Sequence, residues 1–258
     1  MQPAWDHFHT IRIHFSYLIS LLSSASPPTP RGLLVGAAAW VTSREDATRV
    51  WTEGHFGKGT LHRSEPEYII YGGSKPRRRR KESAGTLAVD VDPATVAAEI
   101  LQLSGVETMF LAAQARLNVE DNGGNLLSSS ELWAHFTAQD PRFPLLYAVY
   151  KHYRKQGWVV RSGAVYAADY VLYRTGPAYD HSEFVVTVLS LETGTISDVD
   201  EHHSAPHSLF NLSRMSFQVK KDVLVCFVGA PKGPQPWCDD GSEVREVVVR
   251  RWLPERAR

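Results

Sequence analysis

Tyr173-Arg174-Thr175-Gly176-Pro177-Ala178-Tyr179-Asp180-His181 leads into the apolar run Phe184-Val185-Val186-Thr187-Val188-Leu189, and the segment Val219-Lys220-Lys221-Asp222-Val223-Leu224-Val225-Cys226-Phe227 follows further on. Thr175-Gly176-Pro177 has the composition of a turn that breaks one strand, His181 opens the next, and Lys221 stands just before a third. Runs that are apolar on both faces belong to a sheet covered by helices on each side, so the C-terminal half reads as an α/β domain. A phenol, an imidazole and an ammonium are thereby expected at neighbouring strand ends along one edge of that sheet.

Upstream of this stretch, Trp158–Val160 and Asp169–Tyr173 read as strands, and Glu246–Trp252 closes the series. Pro144 opens a helix with the stripe Leu145, Leu146, Val149, Tyr150 and Tyr153, stopped at Gly157. The N-terminal half is expected to be a smaller α+β domain. Ser43 and Asp46 have the form of an N-terminal cap for a short helix to Trp51; Ser104 and Glu107 form a capping box, and a further helix starts at Ser130. Asp92-Pro93 reads as another helix start, with Val96, Ala97, Ile100 and Leu101 on its apolar stripe. The Asn/Gly/Ser-rich connection 118–129 reads as a loop. A helix is expected within Leu209–Lys221. The division that follows is a tail over 1–32, an N-terminal domain over 33–140 with a basic linker at 73–86, and a catalytic-type domain with a mixed sheet over 141–258.

Composition narrows the function only by exclusion. The 258 residues are 43% hydrophobic and 22% charged, ordinary for a globular protein, and 28 basic residues balance 28 acidic ones. No global field announces a nucleic-acid partner, so any such contact must come from local patches. Two cysteines, Cys226 and Cys238, make no disulfide framework. No apolar run reaches the ~20 residues of a membrane helix; Phe15–Leu22 with its small-residue flank is the nearest approach and reads as a tail, with a secretory signal peptide as the alternative. The tract Lys75-Pro76-Arg77-Arg78-Arg79-Arg80-Lys81 has no apolar face to bury and reads as a solvated linker, with nuclear import or RNA attraction as its functional alternative.

The order Tyr153-Arg154-Lys155-Gln156-Gly157-Trp158, then Gly163-Ala164-Val165-Tyr166-Ala167-Ala168-Asp169-Tyr170-Val171-Leu172-Tyr173, then Gly176-Pro177 and His181, resembles the catalytic subunits of eukaryotic tRNA-splicing endonuclease. Ala167 and Val165 depart from the family pattern, which has glycine and commonly a basic residue there. Gly54-His55-Phe56-Gly57-Lys58-Gly59-Thr60-Leu61-His62-Arg63-Ser64 is similar to the Gly-x-Phe-Gly-Lys-Gly-x-Leu-Ser-Arg-Ser box of the subunit that cuts the 5′ splice site. The resemblance implies an endoribonuclease, a tRNA-intron lyase, with precursor tRNA as substrate and 2′,3′-cyclic phosphate and 5′-hydroxyl products. It also implies a heterotetramer with a second catalytic and two non-catalytic subunits, a strand around Val247–Trp252 pairing with a non-catalytic partner, and a nuclear location. The cytoplasmic face of the mitochondrial outer membrane is the alternative location.

The chemistry of the three side chains fits that implication. An RNA 2′-hydroxyl is an internal nucleophile that needs a base, an acid and charge stabilisation, so neither cofactor nor metal is expected. Tyr173, His181 and Lys221 are the catalytic candidates. An imidazole exchanges protons near neutral pH, the Lys221 ammonium can balance charge on the phosphate, and Tyr173 can orient the 2′-hydroxyl or shuttle a proton. Which of Tyr173 and His181 is base and which acid stays open. Lys220 and Lys221 are neighbours, and in an extended segment only one can face the site; the family spacing selects Lys221. Arg214 and Trp252 match positions where the family holds an unpaired base, making them RNA-binding candidates through stacking. His202, His203 and His207, beside Asp198, Asp200 and Glu201, fit no zinc spacing and read as a polar insertion. Two alternatives stand: the 3′-cutting subunit of the same enzyme, disfavoured by the Phe56–Gly59 box, and a non-catalytic scaffold or RNA-binding module, disfavoured by retention of all three candidates.

Overall fold

The computed structural model describes residues 28–61, 66, 99–191, 206–229, 231, 233–238 and 242–250. Within them the chain builds two five-stranded sheets. The first has β1 (Arg31–Val35), β2 (Ala38–Val41), β3 (Lys58–Gly59), β4 (Leu101–Ser104) and β5 (Asn118–Glu120), in the order β3-β4-β2-β1-β5. The second has β6 (Val159–Ser162), β7 (Tyr170–Tyr173), β8 (Phe184–Ser190), β9 (Asp222–Val228) and β10 (Val244–Val249), in the order β10-β9-β8-β7-β6. Both sheets are mixed: β1 runs parallel to β5 and β8 parallel to β9, with the remaining pairs antiparallel.

Helices α1 (Arg44–Gly54), α2 (Gly105–Ala113) and α3 (Ser129–Gln139) accompany the first sheet. The Ser43 hydroxyl caps α1 by accepting from the Asp46 N–H, and Ser104 and Glu107 close a reciprocal capping box on α2, as the spacing implies. A second box, Ser128 with Glu131, starts α3 one residue earlier than expected. Two expectations are corrected. Leu101 does not sit on a helical stripe: Leu101 and Leu103 are buried while Gln102 and Ser104 are not, a period of two that pairs β4 with β2. The connection after Asn118 is not all loop, because Asn118–Glu120 pairs with Arg31–Leu33 as β5. The helix start at Asp92-Pro93, the basic tract 75–81 and the histidine-rich segment through His203 lie outside the described residues.

The catalytic-type domain is a sheet between two helices. Helix α4 (Phe143–Lys155) carries Pro144 in its first turn and buries Tyr147, Val149, Tyr150 and Tyr153. Against it stand alternate residues of the sheet: Tyr170 and Leu172, Val186 and Val188, then Leu224, Cys226 and Val228. The interleaved set, Val171, Val185, Leu189, Val223 and Val225, packs on the opposite face with Leu212 of α5 (Pro206–Gln218). Tyr173 belongs to this second face, which decides where its hydroxyl can go. Cys226 is buried against the Tyr153 hydroxyl at 3.0 Å, and Cys238 is exposed.

One ion pair fixes the far end of β7. Asp169 and Arg142 meet through two contacts of 3.1 and 3.3 Å. The Val188 N–H donates to Asp169 at 2.7 Å, and Arg142 donates to the Val188 carbonyl at 2.9 Å. β7 pairs with β8 only as far as Tyr170↔Val186, so these two side chains satisfy the backbone groups of Val188 that the shorter strand leaves behind.

Candidate active site

The register puts the three strand ends in one row. Leu172 is paired with Phe184 and Phe184 with Asp222, so one step outward Tyr173, Glu183 and Lys221 lie side by side on adjacent strands. With strands ~4.8 Å apart, long side chains on the first and third can meet across the second. They meet at Ser182. The Ser182 side chain lies near enough to the Tyr173 hydroxyl to lower its pKa, and the Lys221 ammonium donates to the Ser182 carbonyl at 2.6 Å. Ser182 is buried, and His181 is its exposed neighbour in the chain. The structure thus brings Tyr173 and Lys221 to a common residue and puts His181 next to it.

The environment biases both titrating groups in the same sense, toward their neutral forms. Burial raises the Tyr173 phenol above its ordinary value, against the lowering effect of the nearby Ser182 side chain and of Arg161, so the phenol holds its proton at neutral pH. Burial lowers the Lys221 ammonium, which also stands 5.6 Å from the centre of the Tyr166 ring. Tyr166 lies in a 3-10 turn (Ala164–Tyr166) that ends at Ala167 with φ 53°. That left-handed position is where the family pattern has glycine, and alanine takes it here at a modest strain.

Lys221 faces inward for a reason other than strand alternation. Lys220 has φ 56° and ends α5, and the Lys221 N–H reaches back to the Ser216 carbonyl at 2.9 Å. This left-handed closure leaves Lys220 exposed and swings Lys221 onto the site before β9 begins. Arg214 is exposed on α5, on the side away from buried Leu212 and Ser216, two turns before Lys221. Trp252 lies outside the described residues.

His181 is carried by a loop closed at both ends. At its base, Arg174 and Glu183 form a two-point ion pair at 2.7 and 2.8 Å. At its tip, the N–H groups of Tyr179 and Asp180 both donate to the Gly176 carbonyl at 3.1 Å, and Thr175 bonds the Asp180 carboxylate. Sequence alone did not single out Ser182; its one signal was its place between His181 and the apolar run.

The Gly54–Gly59 box sits under this domain, held by two arginines. Arg154 of α4 donates to the Gly54 carbonyl at 2.8 Å and stacks 3.9 Å over the Phe56 ring. Arg161 of β6 donates to the His55 carbonyl at 2.8 Å and to the Gly57 carbonyl. The glycines are required by space: a Cβ on Gly54 would stand 2.9 Å from Arg154, and Gly57, at φ 76°, would press one 2.8 Å from the Gln102 carbonyl. A cavity of about 460 Å³ opens beside this junction, lined by Lys58, Glu107, Phe136, Tyr150, Arg161 and Asp169 among others. Tyr173, His181 and Lys221 do not line it.

Comparison with known proteins agrees with this two-part construction. Residues 31–133 match the family model for the N-terminal domain of tRNA intron endonuclease, and residues 143–233 match the model for its catalytic C-terminal domain. The tRNA-splicing endonuclease of Saccharolobus solfataricus strain P2 is 29% identical over 223 residues, spanning 86% of this chain and 98% of that protein. One from Saccharolobus islandicus is 27% identical over the same spans. The mouse protein named tRNA-splicing endonuclease subunit Sen2 is 34% identical over 167 residues, 62% of this chain and 36% of its own length. With both domains matched in order, and the strand-end residues Tyr173, Ser182 and Lys221 inside the catalytic match, the chain belongs to the tRNA intron endonuclease family.

Proposed function

We propose that the chain is a catalytic subunit that cuts precursor tRNA at the 5′ exon–intron junction. The observation that carries this reading is the strand register that sets Tyr173 in one row with Lys221, whose ammonium bonds the Ser182 carbonyl beside exposed His181. The 2′-hydroxyl attacks the adjacent phosphorus and the bond to the 5′ oxygen breaks. Tyr173 and His181 divide the two proton transfers, one removing the 2′ proton and the other protonating the leaving 5′ oxygen. Lys221 balances the charge that gathers on the phosphate. The products are a 2′,3′-cyclic phosphate and a 5′-hydroxyl, and no metal is required because the nucleophile belongs to the substrate.

Assignment to the 5′ junction rests on the Gly54–Gly59 box and on the likeness to Sen2. Arg214 on the solvent side of α5, together with Trp252, contributes stacking to an unpaired base. Partners follow from the sheet edge: β10 is terminal, with Val247 and Val248 each 48% exposed, and such an edge is suited to pair with a non-catalytic subunit, a second catalytic subunit completing a heterotetramer. A nuclear site of action completes the proposal and rests on the family resemblance. The test is cleavage of intron-bearing precursor tRNA by the chain with its partner subunits in EDTA. Cyclic-phosphate ends at the 5′ junction support the proposal; cleavage at the 3′ junction alone, or only after a divalent ion is restored, overturns it.

A further inference from the structure

The variable position of the glycine box, His55, points its side chain out of its own domain. Its backbone is left-handed at φ 56°, closing α1 with an N–H bond to the Trp51 carbonyl, and the Arg161 bond to its carbonyl fixes it further. The ring stands edge-on between two aromatics, 5.2 Å from Trp51 at 87° and 5.9 Å from Tyr179 at 73°. It also lies flush against Gly176: a Cβ there would stand 2.7 Å from both Cδ2 and Nε2 of the imidazole. Gly176 accepts the two N–H bonds that fold the loop tip, so the ring bears on the point about which the His181 loop turns.

We propose that His55 is a positioning residue for the reaction: it is the support, supplied by the N-terminal domain, on which the Gly176–His181 loop rests. The proposal depends on the reading that His181 moves a proton in cleavage. It accounts for the double arginine hold on residues 54–57, since a support must itself be fixed before it can fix a loop. The ring acts through shape. A phenylalanine fills nearly the same volume against Gly176 and Tyr179, whereas alanine leaves the loop without its stop.

The experiment compares His55→Ala and His55→Phe in the full chain with its partner subunits. His55→Ala is expected to lower kcat for precursor tRNA by about 10²-fold, the scale of a small misplacement at a reacting centre, with KM near wild type. His55→Phe should restore kcat to within a few-fold. Amide hydrogen exchange at Tyr179 and Asp180 should rise in His55→Ala and return in His55→Phe. That readout does not depend on the protein cleaving tRNA, so it separates failure of the support from failure of the functional proposal. Wild-type kcat in His55→Ala, unchanged exchange at the loop tip, or a His55→Phe variant as impaired as His55→Ala would each overturn the inference.

Discussion

Replacing Asp169 by asparagine removes one charge and leaves the shape of the side chain almost unchanged. In the native protein its carboxylate meets Arg142 at 3.1 and 3.3 Å and accepts the Val188 N–H at 2.7 Å, with side-chain exposures of 7% for Asp169 and 12% for Arg142. Both groups are too buried for solvent to take over, so the variant takes the Asp169 charge away from a buried guanidinium. Breaking a buried pair in this way costs about 3–5 kcal/mol. For a chain of this size that corresponds to a fall in Tm of roughly 6–20 °C. Asp169→Ala should fall further, since the Val188 N–H then loses its acceptor at an added cost of about 1–3 kcal/mol. Arg142→Met should resemble Asp169→Asn, and the double variant should lose less than the sum of the two. The assay is a thermal scan of the full chain followed by circular dichroism. A Tm within 2 °C of wild type for Asp169→Asn, or fully additive losses, would refute the claim that this pair stands in for the missing end of β7.

Two further outcomes concern the site. Burial lowers the Lys221 pKa, so the ammonium loses its proton as pH rises through a value below the ordinary ~10.4, and the alkaline fall in cleavage rate should begin before that pH. The same shift makes the unfolded chain bind more protons in that window, so stability should rise with pH there while activity falls, and Lys221→Arg should move the alkaline fall upward. Gly176→Ala should abolish most cleavage, because φ 132° is unsuited to alanine and the new Cβ would meet the His55 ring; wild-type rates in single-turnover assays would show that the loop tip tolerates displacement.

Much of the catalytic half is legible in the sequence because its physics is local and redundant. β8 and β9 announce themselves through apolar residues on both faces, α4 through Pro144 and Gly157, and α1 and α2 through side-chain caps three residues apart. What is missed depends on distant partners. Asn118-Val119-Glu120 contains one apolar residue and becomes a strand only because Arg31–Leu33 runs alongside it. Leu101 follows apolar residues at helical spacing, and only the pairing of β4 with β2 selects the strand. The candidate site divides in the same way. Tyr173, His181 and Lys221 are visible through motif and spacing, but alternation along a strand gives the wrong reason for the inward turn of Lys221, which comes from the left-handed Lys220. Ser182 and His55 become functional candidates only through what they touch.

The central claim is that Tyr173, His181 and Lys221 drive attack by the substrate's own 2′-hydroxyl. It is tested most directly with a precursor tRNA carrying a single 2′-deoxynucleotide immediately 5′ of the scissile phosphate at the 5′ junction, cleaved by the chain with its partner subunits. The account expects no cut at that junction and unchanged affinity for the RNA, with the all-ribose substrate giving a 2′,3′-cyclic phosphate. Cleavage of the deoxy-substituted junction at the normal rate would contradict it.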